Sequence, residues 1–143
     1  DERGGWTVRK IQWKKGNGSM LLGALICALG IFLMAGVAES INLFQASVYA
    51  QTRADLIADG SAAYGMSYDN TLDEGKVSLM SSLLLASSAD FDSPISMRLN
   101  HQAIAYNKVH VQVTTEREFW FPRSGQESTF QVTKEAVTQV ISP

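Results

Sequence analysis

Cysteine, histidine and proline are all scarce in this chain, and each scarcity excludes something. Its 143 residues include one cysteine, two histidines and three prolines. Cys27 has no partner for an intramolecular disulfide, so an exported part of the chain must hold together by packing alone. With only His101 and His110, and no second cysteine, no spacing suits a metal site. Both histidines read as surface residues, His110 on the polar side of a strand. There is no G-x-S-x-G turn, no glycine-rich phosphate loop and no recognisable nucleophile–base pair among the many serines. Glu116 and Glu118 would share a face of a strand, but a solvated strand surface explains them more simply than acid–base work. The expectation is a protein that is not an enzyme, with no cofactor and no small-molecule substrate. The net charge of −2 gives no reason to expect nucleic acid.

Charge is missing from one long stretch. From Gly16 to Ala38 there is no Asp, Glu, Lys, Arg or His, and most side chains are Leu, Ile, Met, Phe, Ala or Gly. At about 1.5 Å per helical residue that run crosses a hydrocarbon core of roughly 30 Å. It is apolar on all sides, where a core helix would show a polar stripe. Lys14, Lys15 and the small residues Gly36-Val37-Ala38 also fit a secretion signal, but a signal's apolar region is usually about 7–15 residues. The reading adopted is a transmembrane helix over 18–44, in contact with membrane lipid.

Orientation follows from the flanks. Of twelve Lys/Arg and fourteen Asp/Glu, five basic and two acidic residues precede the run, leaving seven against twelve after it. The positive-inside tendency makes 1–17 a cytoplasmic basic arm and the rest extracytoplasmic, in a single-pass protein of the cell membrane. Trp6 and Trp13, with Lys14 and Lys15, suit interface anchors at the headgroups. Ser19, Gly23, Cys27 and Gly30 fall on one side of the span as a small-residue face that lets another helix approach. Glu39 sits at the outer edge of the run, either at the interface or slightly inside it and paired with a neighbouring chain. Glu39→Gln is then expected to leave insertion intact and weaken assembly.

Helical signals continue past the lipid. No proline and only Gly60 interrupt Glu39 to Tyr64, and Ile41, Phe44 and Val48 recur at three- and four-residue steps before an alanine-rich stretch with Leu56 and Ile57. An unbroken helix from Gly18 to Tyr64 would be on the order of 70 Å long, and its outer part, 45–66, would need something packed along it. Gly65 reads as a C-cap, and Ser67-Tyr68-Asp69-Asn70 as a turn. Thr71-Leu72-Asp73-Glu74 has the capping-box pattern and opens a second helix over about 72–87, with Val77, Met80 and Leu84 and the neighbouring Leu79 and Leu83 as its apolar face. The same stretch fails as a calcium loop, with Glu74 where glycine belongs and Met80 where glutamate belongs.

After Pro94 the period becomes two: Ile95, Met97, Leu99; then Val109, Val111, Val113; then Phe130, Val132. The turn at Pro122-Arg123-Ser124-Gly125-Gln126 joins the last two runs, giving an antiparallel meander with one buried face. The fold class is α+β, a small domain over 67–143 whose three-stranded antiparallel sheet is covered by the helices before it.

The order of basic arm, apolar span, Gly36-Val37-Ala38-Glu39-Ser40-Ile41-Asn42-Leu43-Phe44, and the Ala/Asp-rich helix from Thr52 to Ala63 resembles the N-terminal module of TadE/TadG-like proteins, pilin-related components of tight-adherence (Flp, type IV-related) pilus systems. The Val-x-Val-x-Val strand, Phe119-Trp120-Phe121-Pro122 and the final Thr/Val run are also similar to that family. The resemblance implies a pilin-like fold and a structural, membrane-anchored subunit of a pilus or secretion assembly, meeting other copies or homologous subunits through its transmembrane helix. One departure stands out: Ser19-Met20-Leu21-Leu22-Gly23 lacks the glutamate that pilin-like members commonly carry just inside the span, and residues before Ser19 remain. That implies an unprocessed, membrane-retained relative. The alternative is a single-pass accessory or binding subunit of a larger membrane complex.

Overall fold

The computed structural model describes residues 5–88, 94–122, 125 and 127–141, with side chains from Gly18 onward. In chain order it contains α1 (Gly5–Gly65), α2 (Glu74–Ser88), β1 (Ile95–Leu99), a short α3 (His101–Ile104), β2 (Lys108–Glu118) and β3 (Thr129–Gln139). The strands form one antiparallel sheet in the order β1-β2-β3, an α+β layout. The chain divides into two compact units, Asp1–Ala38 and Glu39–Pro143.

In the first unit the backbone is helical from Gly5, so the helix begins ahead of the uncharged run. Between Gly18 and Ala38 the large apolar side chains lie open, from Leu22 at 59% to Met20 and Met34 at 76%. This segment is long and apolar enough to cross a membrane.

The second unit has a conventional core. Ala54, Ile57, Ala58 and Ala62 of α1, Val77 of α2, Ile104 of α3, and Val109, Val111, Val113 and Ala136 of the sheet form one buried cluster. Inward and outward positions alternate strictly along β2 from Lys108 to Thr115, the period-two pattern of a half-buried strand. The hairpin register pairs Val111 with Ala136 and Val113 with Lys134, and β1 pairs Met97 with Val113.

Four local expectations need correction. The face that α1 turns to the core is its alanine ladder, Ala46, Ala50, Ala54, Ala58 and Ala62, with Ile57 and Asn42. Ile41, Phe44, Val48 and Leu56 point outward, 45–69% exposed. Small side chains at four-residue steps let helix and sheet backbones approach closely, and the larger ones would hold them apart. On α2, Val77 and Ser81 are buried while Leu79 and Leu83 are more than half exposed.

The cap of α2 also differs. Asp73 does the capping: its Oδ1 accepts from the Lys76 N–H at 3.1 Å and its carbonyl from the Val77 N–H at 3.0 Å. Thr71 instead gives its hydroxyl to Asp69 at 2.7 Å, closing the preceding turn. Gly65 ends α1 without a left-handed backbone. A side chain there would meet Val77 Cγ2 at 2.3 Å, so its function is close approach of α1 to the start of α2.

Candidate functional site

The residues most suggestive of function surround the first turn of α1 beyond the uncharged run. Glu39 lies there, half-buried. Its Oε1 accepts the backbone N–H of Phe121 at 2.5 Å, and its Oε2 accepts from Asn42 Nδ2 at 3.3 Å. Asn42, 1% exposed, also donates to the carbonyl of Glu118 at 3.0 Å. Two polar side chains one helical turn apart thus grip the tip of the β2–β3 hairpin, roughly eighty residues later in sequence. The expectation for Glu39 was an interfacial carboxylate or one paired with a cation from another chain. Within the chain, its carboxylate oxygens have two donors, a backbone N–H and an amide. Asn42 was missed by the sequence reading; a lone asparagine in a helix otherwise facing its core with alanines was the available signal.

Of the proposed packing face, Ser19 and Cys27 are exposed and a side chain at Gly23 or Gly30 would meet nothing within 4 Å, so this side of the helix is open within the chain. Trp6, Trp13, Lys14 and Lys15, the proposed interface anchors, lie outside the residues whose side chains are described. The outward face of α1 in the second unit adds Ile41, Phe44 and Val48, which are 47%, 69% and 48% exposed.

Further along α1, the Tyr49 hydroxyl donates to the Ser88 carbonyl at 3.1 Å, holding the end of α2. The guanidinium groups of Arg53 and Arg117 lie 5.2 and 5.7 Å from the Tyr49 ring centroid, within the range of cation–π attraction. Gln51 donates to the Glu135 carbonyl at 3.3 Å and Thr138 to Asp59 Oδ1, so β3 lies against α1.

The open face of the sheet carries a groove of about 420 Å³ lined by Arg98, Asn100, His101, His110, Gln112 and Glu135, among others. His110 Nε2 sits 3.3 Å from Glu135 Oε2, and Gln112 donates to Oε1 of the same carboxylate at 2.9 Å. His101 Nδ1 pairs with Glu74 at 2.9 Å. Each histidine, read from sequence as simply exposed, therefore has a carboxylate neighbour. No group of three or more His, Cys, Asp or Glu residues able to hold a metal ion occurs among the described residues. These are neighbouring pairs of the kind that tie sheet faces and loops together.

Asn107 was also missed. It adopts φ 54°, its side-chain oxygen accepts from the Leu72 N–H at 3.3 Å, and its carbonyl accepts from the Val140 N–H at 2.9 Å. One turn residue thereby ties together the α1–α2 connection, the start of β2 and the end of β3. Asp69 closes the adjoining turn, and the Thr71 hydroxyl and N–H hold its carboxyl below the ordinary value of 3.8.

Compared with family models, with curated proteins and with solved structures, the chain matches none.

Proposed function

We propose that this chain is a structural, pilin-like membrane-anchored subunit of a pilus or secretion assembly, placed by its span and joined to other subunits by helix–helix packing. The observation that carries the reading is the exposure of the helix between Gly18 and Ala38, where each large apolar side chain is at least 59% open. Such a surface requires lipid or other helices around it. The resemblance to TadE/TadG-like proteins supplies the assembly class. The outward Ile41, Phe44 and Val48 support it, because they give the second unit an apolar face on the side of α1 that does not meet the sheet. The cytoplasmic position of the N-terminal arm rests on the charge of its flanks.

The alternative of an accessory subunit in a larger membrane complex uses the same span with different neighbours. Fractionation separates the two: recovery of the chain in sheared surface filaments supports the assembly reading, and stoichiometric recovery with an integral-membrane complex in mild detergent supports the accessory one. Oxidative crosslinking through Cys27, the sole thiol, reports whether two copies meet inside the bilayer. A monodisperse, uncrosslinked monomer in native membranes would overturn self-assembly. Glu39→Gln probes the assembly role assigned to that carboxylate: recovery of unchanged partner complexes removes it.

A further inference from the structure

The tip of the β2–β3 hairpin carries two half-open aromatic side chains, Trp120 at 52% and Phe121 at 53% exposure, just beyond the tilted ring pair Phe119 and Phe130, whose centroids are 5.0 Å apart. The half of each side chain that faces water brings no folding benefit there. An indole combines an apolar body with one N–H donor and is enriched where apolar and wet surroundings meet.

The place at which the tip is fastened gives these side chains a partner. Phe121 donates its N–H to Glu39, and Glu118, two residues before Trp120, gives its carbonyl to Asn42. Glu39 is the first ionisable residue after the uncharged run that begins at Gly16. Any bilayer that accepts that run must end near Glu39, because an ionised carboxylate is costly deeper in hydrocarbon. A backbone group hydrogen-bonded to Glu39 is then held at the same depth. The bilayer is the one partner whose position along this chain is fixed by the sequence itself.

We propose that the Trp120–Phe121 tip is a lipid-interface anchor, seated at the headgroup–acyl boundary of the leaflet where the apolar span emerges. The folded unit then has two attachments to one membrane surface, the span and the hairpin tip, and Glu39 with Asn42 is the clamp that sets the tip's depth. This rests on the reading of the uncharged run as membrane-embedded, and the test separates the two.

The full chain carrying Trp6→Phe and Trp13→Phe, so that Trp120 is the only indole, is reconstituted into phosphatidylcholine vesicles containing lipids brominated at stated acyl depths. The expected result is flotation with the vesicles, a blue-shifted Trp120 emission, strongest quenching by the shallowest bromines and weak quenching by aqueous iodide. Flotation with full iodide quenching and no bromolipid quenching overturns the anchor and leaves the span reading standing. Failure to float overturns both. Shielding from iodide without bromolipid quenching also overturns it, showing the tip covered by protein. Glu39→Ala in the same background is expected to keep flotation and lose most of the bromolipid quenching; undiminished quenching would remove Glu39 from the clamp.

Discussion

Two stretches of α1 can be set side by side. Between Gly18 and Ala38 the helix is built from large apolar residues and buries none of them fully; from Asn42 to Ala62 it buries a line of mostly alanines against a sheet. Side-chain size and burial run opposite to the usual soluble-protein rule, because the two stretches answer to different surroundings. In the first, apolar bulk has to face outward. In the second, closeness of backbones matters more than the bulk each residue brings, since dense packing against the valines of β2 is what removes apolar surface from water.

The sharpest way to break this contrast is to truncate one isoleucine from each stretch. Ile57→Ala removes a fully buried side chain from the core cluster and is expected to cost about 2–5 kcal/mol. Ile31, 70% exposed, is expected to leave the unfolding midpoint of the second unit unchanged when replaced by alanine. Chemical denaturation in detergent, followed by near-ultraviolet circular dichroism, measures both. A similar loss for the two variants would mean that Ile31 has contacts within the folded unit.

Glycine gives the next comparison. Gly65→Ala would place a methyl 2.3 Å from Val77 Cγ2 and 3.5 Å from its backbone nitrogen, and is expected to destabilise by about 1–3 kcal/mol. Gly60→Ala meets only the far end of Leu84, at 2.7 Å, and that side chain can rotate away. The gain in helix propensity, about 1 kcal/mol, then offsets the crowding, leaving the midpoint nearly unchanged. Equal losses at both positions would place the close approach of α1 and α2 over a wider surface than Gly65 alone.

Smaller effects sharpen the view of the core. Thr115 is fully buried, and its hydroxyl has no hydrogen-bond partner among the described residues. Thr115→Val exchanges that hydroxyl for a methyl of similar shape and is expected to stabilise by about 1 kcal/mol, read as a rise in thermal midpoint; a fall would reveal a partner for the hydroxyl. The smallest effect is expected on acidification. Because the folded-state pKa of Asp69 is lowered by Thr71, its contribution is present above the ordinary carboxylate range and is lost as pH falls through the folded value. Asp69 is fully exposed, so comparison with Asp69→Asn below about pH 4 should show a slight convergence of midpoints. A widening gap would contradict the hydrogen-bond assignment.

Much of this fold could be read directly from the chain. The three period-two runs became β1, β2 and β3, and the uncharged run became an exposed helix. Less legible were the contacts that join distant segments. Asn42 and Glu39 gripping the hairpin, Asn107 tying three segments and the pairing of each histidine with a glutamate all link residues between 25 and 82 positions apart. Local periodicity carries no information about such pairs. The capping residue of α2 was misread for a related reason: Thr71 and Asp73 both offer the right oxygen, and the bridge between Met66 and Leu72 that closes the preceding turn decides which one reaches the helix.

The sequence by itself determined that one segment prefers hydrocarbon to water, that helix precedes sheet, and that no disulfide within the chain holds the sheet-bearing part, because transfer free energy, side-chain period and thiol count are properties of the residues and their order. Which face of α1 meets the sheet, which of two neighbouring residues caps α2, and what the Glu39 carboxylate holds were decided only in three dimensions. Each depends on how closely two backbones can come together, and that distance is set jointly by segments that no single stretch of sequence contains.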